Sequence, residues 1–584
     1  MGKRKKKSQN ILPQTQVGFP HPQVKPASPP VSPTGTQLQP QKKRKGSKSS
    51  SPCDTCEPQV SPKLWKRFYE PLVLLSAYGK SQGPHFKSTG DETFCSDDNR
   101  DLKKQFLDQL AYVCDYETGG DTVTAIAVED GPELKYWVAA NTDKSSTILP
   151  YISGILASLE TVFEAPEEHI LAVQAQITDR VIQFCSDRLR LYKLRLRSAA
   201  LGCIKKLQSE LTEGKVTYPA DSNSVIQTLI AALDAKAVEV WLTSICDQTI
   251  ELKTLSELCY NARSSTMLAG ITRRVEETKQ RQNSSHGGKY SKVRHLVGRL
   301  GSHIKAVDVL VRVGRHYPRL FQNASVQFET ANKKFTPPPY RPKALINDII
   351  KRMVGPDSSL CEYFQTEIGS LDKKFELRLQ ELIKETYKSP TFKLIVHAEI
   401  IIHDLFSRKK LQFLDQVRYI GVSKPSCFLC YRYLQAHPMR VQTSGCSNNL
   451  YLQWQPPYIE DESLTLVTEQ RDVLNKMNGE IRKFVLDTIV PEYRGHKSHP
   501  DSTTGIGTIL SIHDTVSKSR TKKVYAQMPP SKLVSGINAF PEKHFDLQSI
   551  DTVAELSDTD GGVLLEPQGH YVDSSDDGGV SLFA

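Results

Sequence analysis

The chain has 584 residues, 38% hydrophobic and 24% charged, with 76 Lys and Arg against 65 Asp and Glu for a formal charge of +11. That length exceeds a single hydrophobic core and predicts two or three folded units with tails. No uncharged apolar run is long enough to span a bilayer, so no membrane partner is expected, and the surplus of positive charge suits an anionic partner without identifying one.

Residues 1–62 read as a disordered basic arm. No acidic residue precedes Asp54, and "KRKKK" (Lys3–Lys7) and "KKRK" (Lys42–Lys45) lie in Pro-, Ser- and Gln-rich sequence. Such sequence cannot bury enough apolar surface to fold. The two runs suit nuclear import or nucleic-acid contact, or are simply a solvated tail. The opening "MGKRKKKSQN" lacks the apolar stretch of a signal peptide, and Lys6 departs from the N-myristoylation pattern. The 12 Cys are scattered without a framework, which predicts free thiols in a reducing compartment. The expected localisation is nuclear or nucleocytoplasmic, not secreted. "CDTC" (Cys53–Cys56) has no His nearby and reads as incidental.

Residues 63–147 are expected to form a helix and a β-hairpin. In "DLKKQFLDQLAYVCDY", Leu102, Phe106, Leu110 and Val113 recur at helical spacing. Thr122–Val128 and Leu134–Asn141 read as strands around a turn containing Asp130, Gly131 and Pro132. Residues 148–335 are almost wholly helical in pattern, with no fixed-period repeat. Within them Arg188–Arg197 and Lys289–Arg319 are strongly basic. Such segments either contact phosphates or form solvated helix faces. "TPPPYRP" (Thr336–Pro342) breaks the pattern and marks a boundary.

Residues 336–495 alternate between helix and strand, which indicates an α/β layer. The expected elements are helices over Ala344–Met353 and Lys374–Thr386, a strand over Phe392–Val396 and a helix over His397–Arg408. A strand over Val417–Val422, a helix starting in Cys427–Leu434 and a last helix over Val473–Ile489, ended by Pro491, follow. Trp454 is either a core residue or a platform for a base. Residues 496–584 read as a mostly disordered tail, without Lys or Arg from Asp546 onward.

Two short stretches, "FKLIVHAEII" and "YIGVSKPSCFLCYRYL", carry the chemistry. Residues two apart on a helix point to nearly opposite sides, so His397 and Glu399 share a site only if His397 sits at the helix mouth. Cys427 and Cys430, three apart, share one face of a first turn, with Ser426 as a plausible N-cap. The positive helix end favours thiolates. One imidazole and two thiolates leave open the fourth tetrahedral position that catalytic zinc requires. The spacing is not that of an H-E-x-x-H zinc protease. A redox or structural Cys pair would leave His397 and Glu399 without a purpose.

His397-Ala398-Glu399 together with Pro425-Ser426-Cys427-Phe428-Leu429-Cys430 resembles the H-x-E and P-C-x-x-C signature of the zinc-dependent deaminase superfamily. More narrowly, "VHAEI" with "YIGVSKPSCFLC" is similar to large deaminase-like proteins described in fungi. Ser426 departs from the pattern by separating Pro425 from Cys427. The resemblance implies an α/β fold: a cytidine-deaminase-like three-layer core of sheet and helices, here combined with a large all-helical region. It implies one Zn2+ per chain on His397, Cys427 and Cys430, with Glu399 moving protons. It also implies a hairpin ending near a substrate-contacting Asn, here Asn141, with the helical region inserted after it. The hairpin could equally belong to a separate unit. The implied activity is deamination of a nucleobase, cytosine favoured, in single-stranded nucleic acid, DNA or RNA. A catalytically silent nucleic-acid-binding scaffold and a free-nucleoside deaminase are the alternatives.

Overall fold

In the computed structural model, residues 61–79, 82–87, 98–212, 225–282, 288–331, 345–355, 359–390, 392–459 and 463–489 are described, all within one unit, Thr55–Ala584. The basic arm with its "CDTC" pair, the "TPPPYRP" boundary and the C-terminal tail lie outside the described residues. The protein is mostly helical, with a small mixed four-stranded sheet. Among the described residues no helix is long and apolar enough to cross a membrane.

The sheet is assembled from distant parts of the chain. Thr124–Glu129 and Lys135–Ala140 form an antiparallel hairpin, with Thr124 opposite Ala140 and Glu129 opposite Lys135. Ser325–Phe328 adds to the second strand in parallel, and Gly421–Val422 adds to the first in antiparallel. Alternate side chains of a strand point to opposite faces, and here both faces are buried. Ala125, Ala127 and Ala139 enter one apolar cluster, shared with Phe68, Ile400, Leu405, Phe428, Leu429 and Met477. Ile126, Val128, Tyr136 and Val138 enter a second, shared with Leu110, Ile152, Ile177 and Leu310. Gly421 lies so close to helix Asp98–Cys114 that an added Cβ would stand 2.4 Å from the Leu107 carbonyl carbon.

Five helices of the region after the hairpin build a third, purely helical cluster. Ser186–Thr212, Val225–Ile245, Leu252–Asn261 and Thr266–Gln282 pack around Tyr290–Leu300 of the long helix Gly288–His316. The other half of that helix, Ala306–Val313, belongs to the second cluster. One rod of 29 residues thus ties the helical region to the sheet.

Local departures from the expected elements have local causes. The expected helix Lys374–Thr386 is two helices, Ser359–Phe375 and Leu379–Lys388, because Glu376 and Arg378 adopt left-handed backbone with φ of 51° and 52°. The Phe392–Val396 strand shrinks to one bridge between Ile395 and Trp454. The Val417–Val422 strand keeps two residues, after a 3-10 turn at Leu414–Gln416. The last helix starts nine residues early, at Leu464. The helix Pro62–Tyr78, started by Pro62 and capped by Ser61, and the strand Ser325–Phe328 have no counterpart among the expected elements.

Burial of His303 has a measurable consequence. Its ring lies 5.0 Å from that of Tyr112. Burial, with the Arg188 and Arg299 charges, pushes its pKa from 6.5 down to about 3. Between those values the unfolded chain binds a proton that the fold does not. This histidine's contribution to stability is therefore complete above pH 6.5 and is lost toward acid at about 1.4 kcal/mol per pH unit. Urea unfolding of wild type and His303→Leu at pH 7 and pH 5 should show the variant losing less stability over that interval. Equal losses would place a protonated His303 in the fold.

Candidate metal centre

Two helix N-termini converge on the site. His397 is the N-cap of helix Ala398–Lys409, with extended backbone at φ −74° and ψ 152°. It is delivered by the segment that bridges to Trp454, where Ile395 N–H donates to the Gln453 carbonyl and Gln455 N–H to the Ile395 carbonyl. Cys427, not Ser426, is the N-cap of helix Phe428–Ala436, and its sulfur accepts the Cys430 N–H at 3.4 Å. Ser426 stands one residue too early to cap. Its N–H donates to the Gly445 carbonyl and its carbonyl accepts the Ser447 N–H, while its hydroxyl lies 3.0 Å from that of Thr443. The residue inserted between Pro425 and Cys427 thus anchors the Cys turn to the strand Gly445–Cys446 and its flanking residues.

His397 Nδ1 lies 3.5 Å from Cys427 Sγ and 3.3 Å from Cys430 Sγ. All three residues are buried, and their donor atoms lie within 4.8 Å of one another. Burial pushes the Cys427 thiol up, but hydrogen bonding to Cys430 and the charge of His397 outweigh it and hold the thiol well below 9.0. Burial, followed by the bond to Cys427, drives Cys430 well above its ordinary value. A metal bound by the two sulfurs would displace their protons. A buried N, S, S donor set of this size suits zinc.

Glu399 is buried in the first turn of the His397 helix, and desolvation raises its pKa against the opposing charge of His397. Asn141, at the end of the hairpin, reaches the same turn. Its Oδ1 accepts the Ala398 N–H at 2.9 Å, and its Nδ2 donates to the Gly120 carbonyl at 2.8 Å. The structure therefore brings together all five residues singled out in the sequence. It adds Cys446, whose buried sulfur lies 3.9 Å from the Cys427 carbonyl oxygen, and Tyr451, whose ring stands 6.0 Å from the His397 imidazole. Neither has a sequence signal: Cys446 lies in a two-residue strand, Gly445–Cys446, paired with Phe86–Lys87, and Tyr451 in a loop, both without a spacing motif.

Two arginines of the basic segments are committed to the fold itself, whereas Arg190, Lys289, Lys292, Arg312, Arg315 and Arg319 are exposed. Arg188 and Arg299 are 1% and 2% exposed, and both donate to the Tyr192 hydroxyl. Lys193 donates to the carbonyls of Gln248 and Ile250. Arg315 pairs with Glu167 and Arg319 with Asp130. Arg188 and Arg299 are thereby removed from any phosphate-binding face. Trp454 is fully buried against Phe68 and Tyr433, so it is a core residue and not a stacking platform.

Residues 396–458 match the family described as "OTT_1508_deam:-like deaminase". No curated protein and no solved structure matches the chain. The matched segment contains His397, Glu399, Cys427 and Cys430, so the chain carries a deaminase-family domain with a candidate zinc-binding His/Cys/Cys group. The expected metal content is one zinc per chain. Elemental analysis of purified Cys427→Ala/Cys430→Ala protein should show that zinc lost, and unchanged stoichiometry would rule out these ligands.

Proposed function

We propose that the protein is a zinc-dependent hydrolytic deaminase of a nucleobase, cytosine favoured, in single-stranded nucleic acid. The observation that carries this reading is the convergence of His397, Cys427 and Cys430 beside a buried Glu399 inside a segment matching a deaminase family. His397, Cys427 and Cys430 would hold the zinc, which supplies the Lewis acidity that makes water a nucleophile near neutral pH. Glu399 would accept a proton from the attacking water, deliver it to the ring nitrogen, and then carry the proton of the added hydroxyl to the departing amine. Water oxygen is gained at the ring carbon, the exocyclic C–N bond breaks, and ammonia leaves. A carboxyl group with its pKa raised by burial can both take and return a proton in this cycle. The cytidine-deaminase-like three-layer fold is supported by the sheet that lies between two apolar clusters.

The polymer substrate is supported by the formal charge of +11 and by the basic N-terminal runs, which also suit a nuclear location. Single strands are favoured because extruding a base from a duplex costs a few kcal/mol. The experiment is expression of wild type and Glu399→Gln in a host lacking such activity, followed by sequencing of its DNA and RNA. C-to-T or C-to-U changes in the wild type alone are expected. A paired assay of oligonucleotide and nucleoside across a salt series completes it. Equal specificity constants without salt dependence would reject the polymer substrate in favour of a free nucleoside.

A further inference from the structure

We infer that the turn formed by residues 115–123 is a brace that holds the two metal-bearing helices in register, with Lys424, Thr122 and Asp115 as positioning residues and the inserted helices securing it through Arg188. This inference rests on the metal centre described above.

Asp115 follows helix Asp98–Cys114 and is wholly buried. Its Oδ1 accepts the Thr122 hydroxyl at 2.7 Å, and that hydroxyl accepts the Glu117 N–H at 3.2 Å. The turn is thus closed on itself around one carboxylate. The other oxygen, Oδ2, has two cations beside it, Arg188 Nη1 at 3.1 Å and Lys424 Nζ at 3.6 Å. Arg188 also donates to the Asp115 carbonyl.

Two lines run from this turn to the metal centre. Along one, the Gly120 carbonyl accepts Asn141 Nδ2, and Asn141 Oδ1 accepts the N–H of Ala398, which lies between His397 and Glu399. Along the other, the Gly119 carbonyl accepts Lys424 Nζ at 2.9 Å, and Lys424 stands three residues before Cys427. Ser423 reinforces the second line, since its hydroxyl accepts the Thr124 N–H and its own N–H donates to the Thr124 carbonyl.

The geometry calls for such a device. His397 and Cys427 sit on different helices, and the strand beneath the Cys turn pairs over only two residues, Gly421 and Val422. A zinc site tolerates ligand displacements of only about 0.2 Å. A buried ionic cluster is a poor source of stability compared with apolar packing, but it admits few alternative arrangements. The Asp115 carboxylate needs its counter-charges at fixed positions, and one of them, Arg188, comes from helix Ser186–Thr212 of the helical region. That region thereby has a role at the site without touching the metal ligands.

The test uses the full zinc-loaded chain. In Lys424→Met and in Thr122→Val, zinc affinity measured by chelator competition should fall about 10–100-fold. Hydrogen exchange at the Ala398 amide should accelerate in both. Lys424→Arg should restore most of the affinity, and Arg319→Ala, which breaks an exposed pair with Asp130, should change neither quantity. Wild-type zinc affinity and wild-type Ala398 protection in Lys424→Met would overturn the brace. If that variant does not fold, the same result in the near-isosteric Thr122→Val overturns it. A wild-type chain that binds no zinc would reject the metal centre itself, and Ala398 exchange alone would then decide for or against the brace.

Discussion

Replacing Glu399 by Gln is expected to leave the fold and the zinc content intact and to reduce turnover by about 10²–10⁴-fold, the usual worth of a general acid–base group. The amide matches the carboxyl group in shape, so the buried turn around Ala398 and Ile400 stays packed. Glu399 is not among the three ligand residues, so metal retention separates loss of chemistry from loss of the site. The carboxylate is also buried against its preference for water, as its raised pKa records. A neutral side chain should therefore not lower the unfolding free energy. The measurement is turnover alongside zinc analysis on the same preparation. A variant as fast as wild type would exclude Glu399 as the proton carrier. A variant that has lost zinc would make it a determinant of the metal site instead.

Replacing Arg188 by Met is expected to be the most damaging substitution for stability, at about 3–5 kcal/mol, because it strands a buried carboxylate. In the wild type, burial pushes the Asp115 pKa up, while Arg188 and then Lys424 more than reverse the shift and lower it below 3.8. Its contribution is therefore present above the ordinary carboxylate value and is lost as pH falls through the lowered one. Without Arg188, Lys424 at 3.6 Å from Oδ2 and the weaker influence of Arg299 remain, and the folded-state pKa must rise. The gap in stability between variant and wild type should accordingly be widest near neutral pH and narrow below about pH 4. Asp115→Leu/Arg188→Met, which removes both charges, should be more stable than Arg188→Met alone. Urea unfolding of the three proteins at pH 7 and pH 4 measures all of this. A double variant no more stable than the single one would show that Arg188 matters for packing and not for charge.

The residues of the metal centre were legible because capping and helical spacing are properties of contiguous sequence. A His at the mouth of one helix and two Cys on the first turn of another can be placed from a dozen residues each. The cap falls one position later than the sequence predicts, at Cys427, since Ser426 is a good capper in isolation but is committed to Gly445, Ser447 and Thr443. The strand over Phe392–Val396 was over-read for a related reason. Its apolar run looks like a buried strand, but its partner is only the short segment around Trp454.

What the sequence by itself determined is the candidate His/Cys/Cys group, the neighbouring Glu399 and the positions of most helices, because each depends on residues within a few turns of one another. What only the tertiary structure decided is how distant segments meet. The hairpin at 124–140 joins Gly421–Val422 in one sheet, and that pairing carries Asn141 to Ala398 across 257 residues of sequence. The same holds for the basic segments. Periodicity cannot tell an arginine facing solvent from one facing a carboxylate, because the counter-charge that makes burial of Arg188 tolerable, Asp115, lies 73 residues earlier in the chain. Only folding brings the two together, and it turns an apparent phosphate contact into an internal fastening.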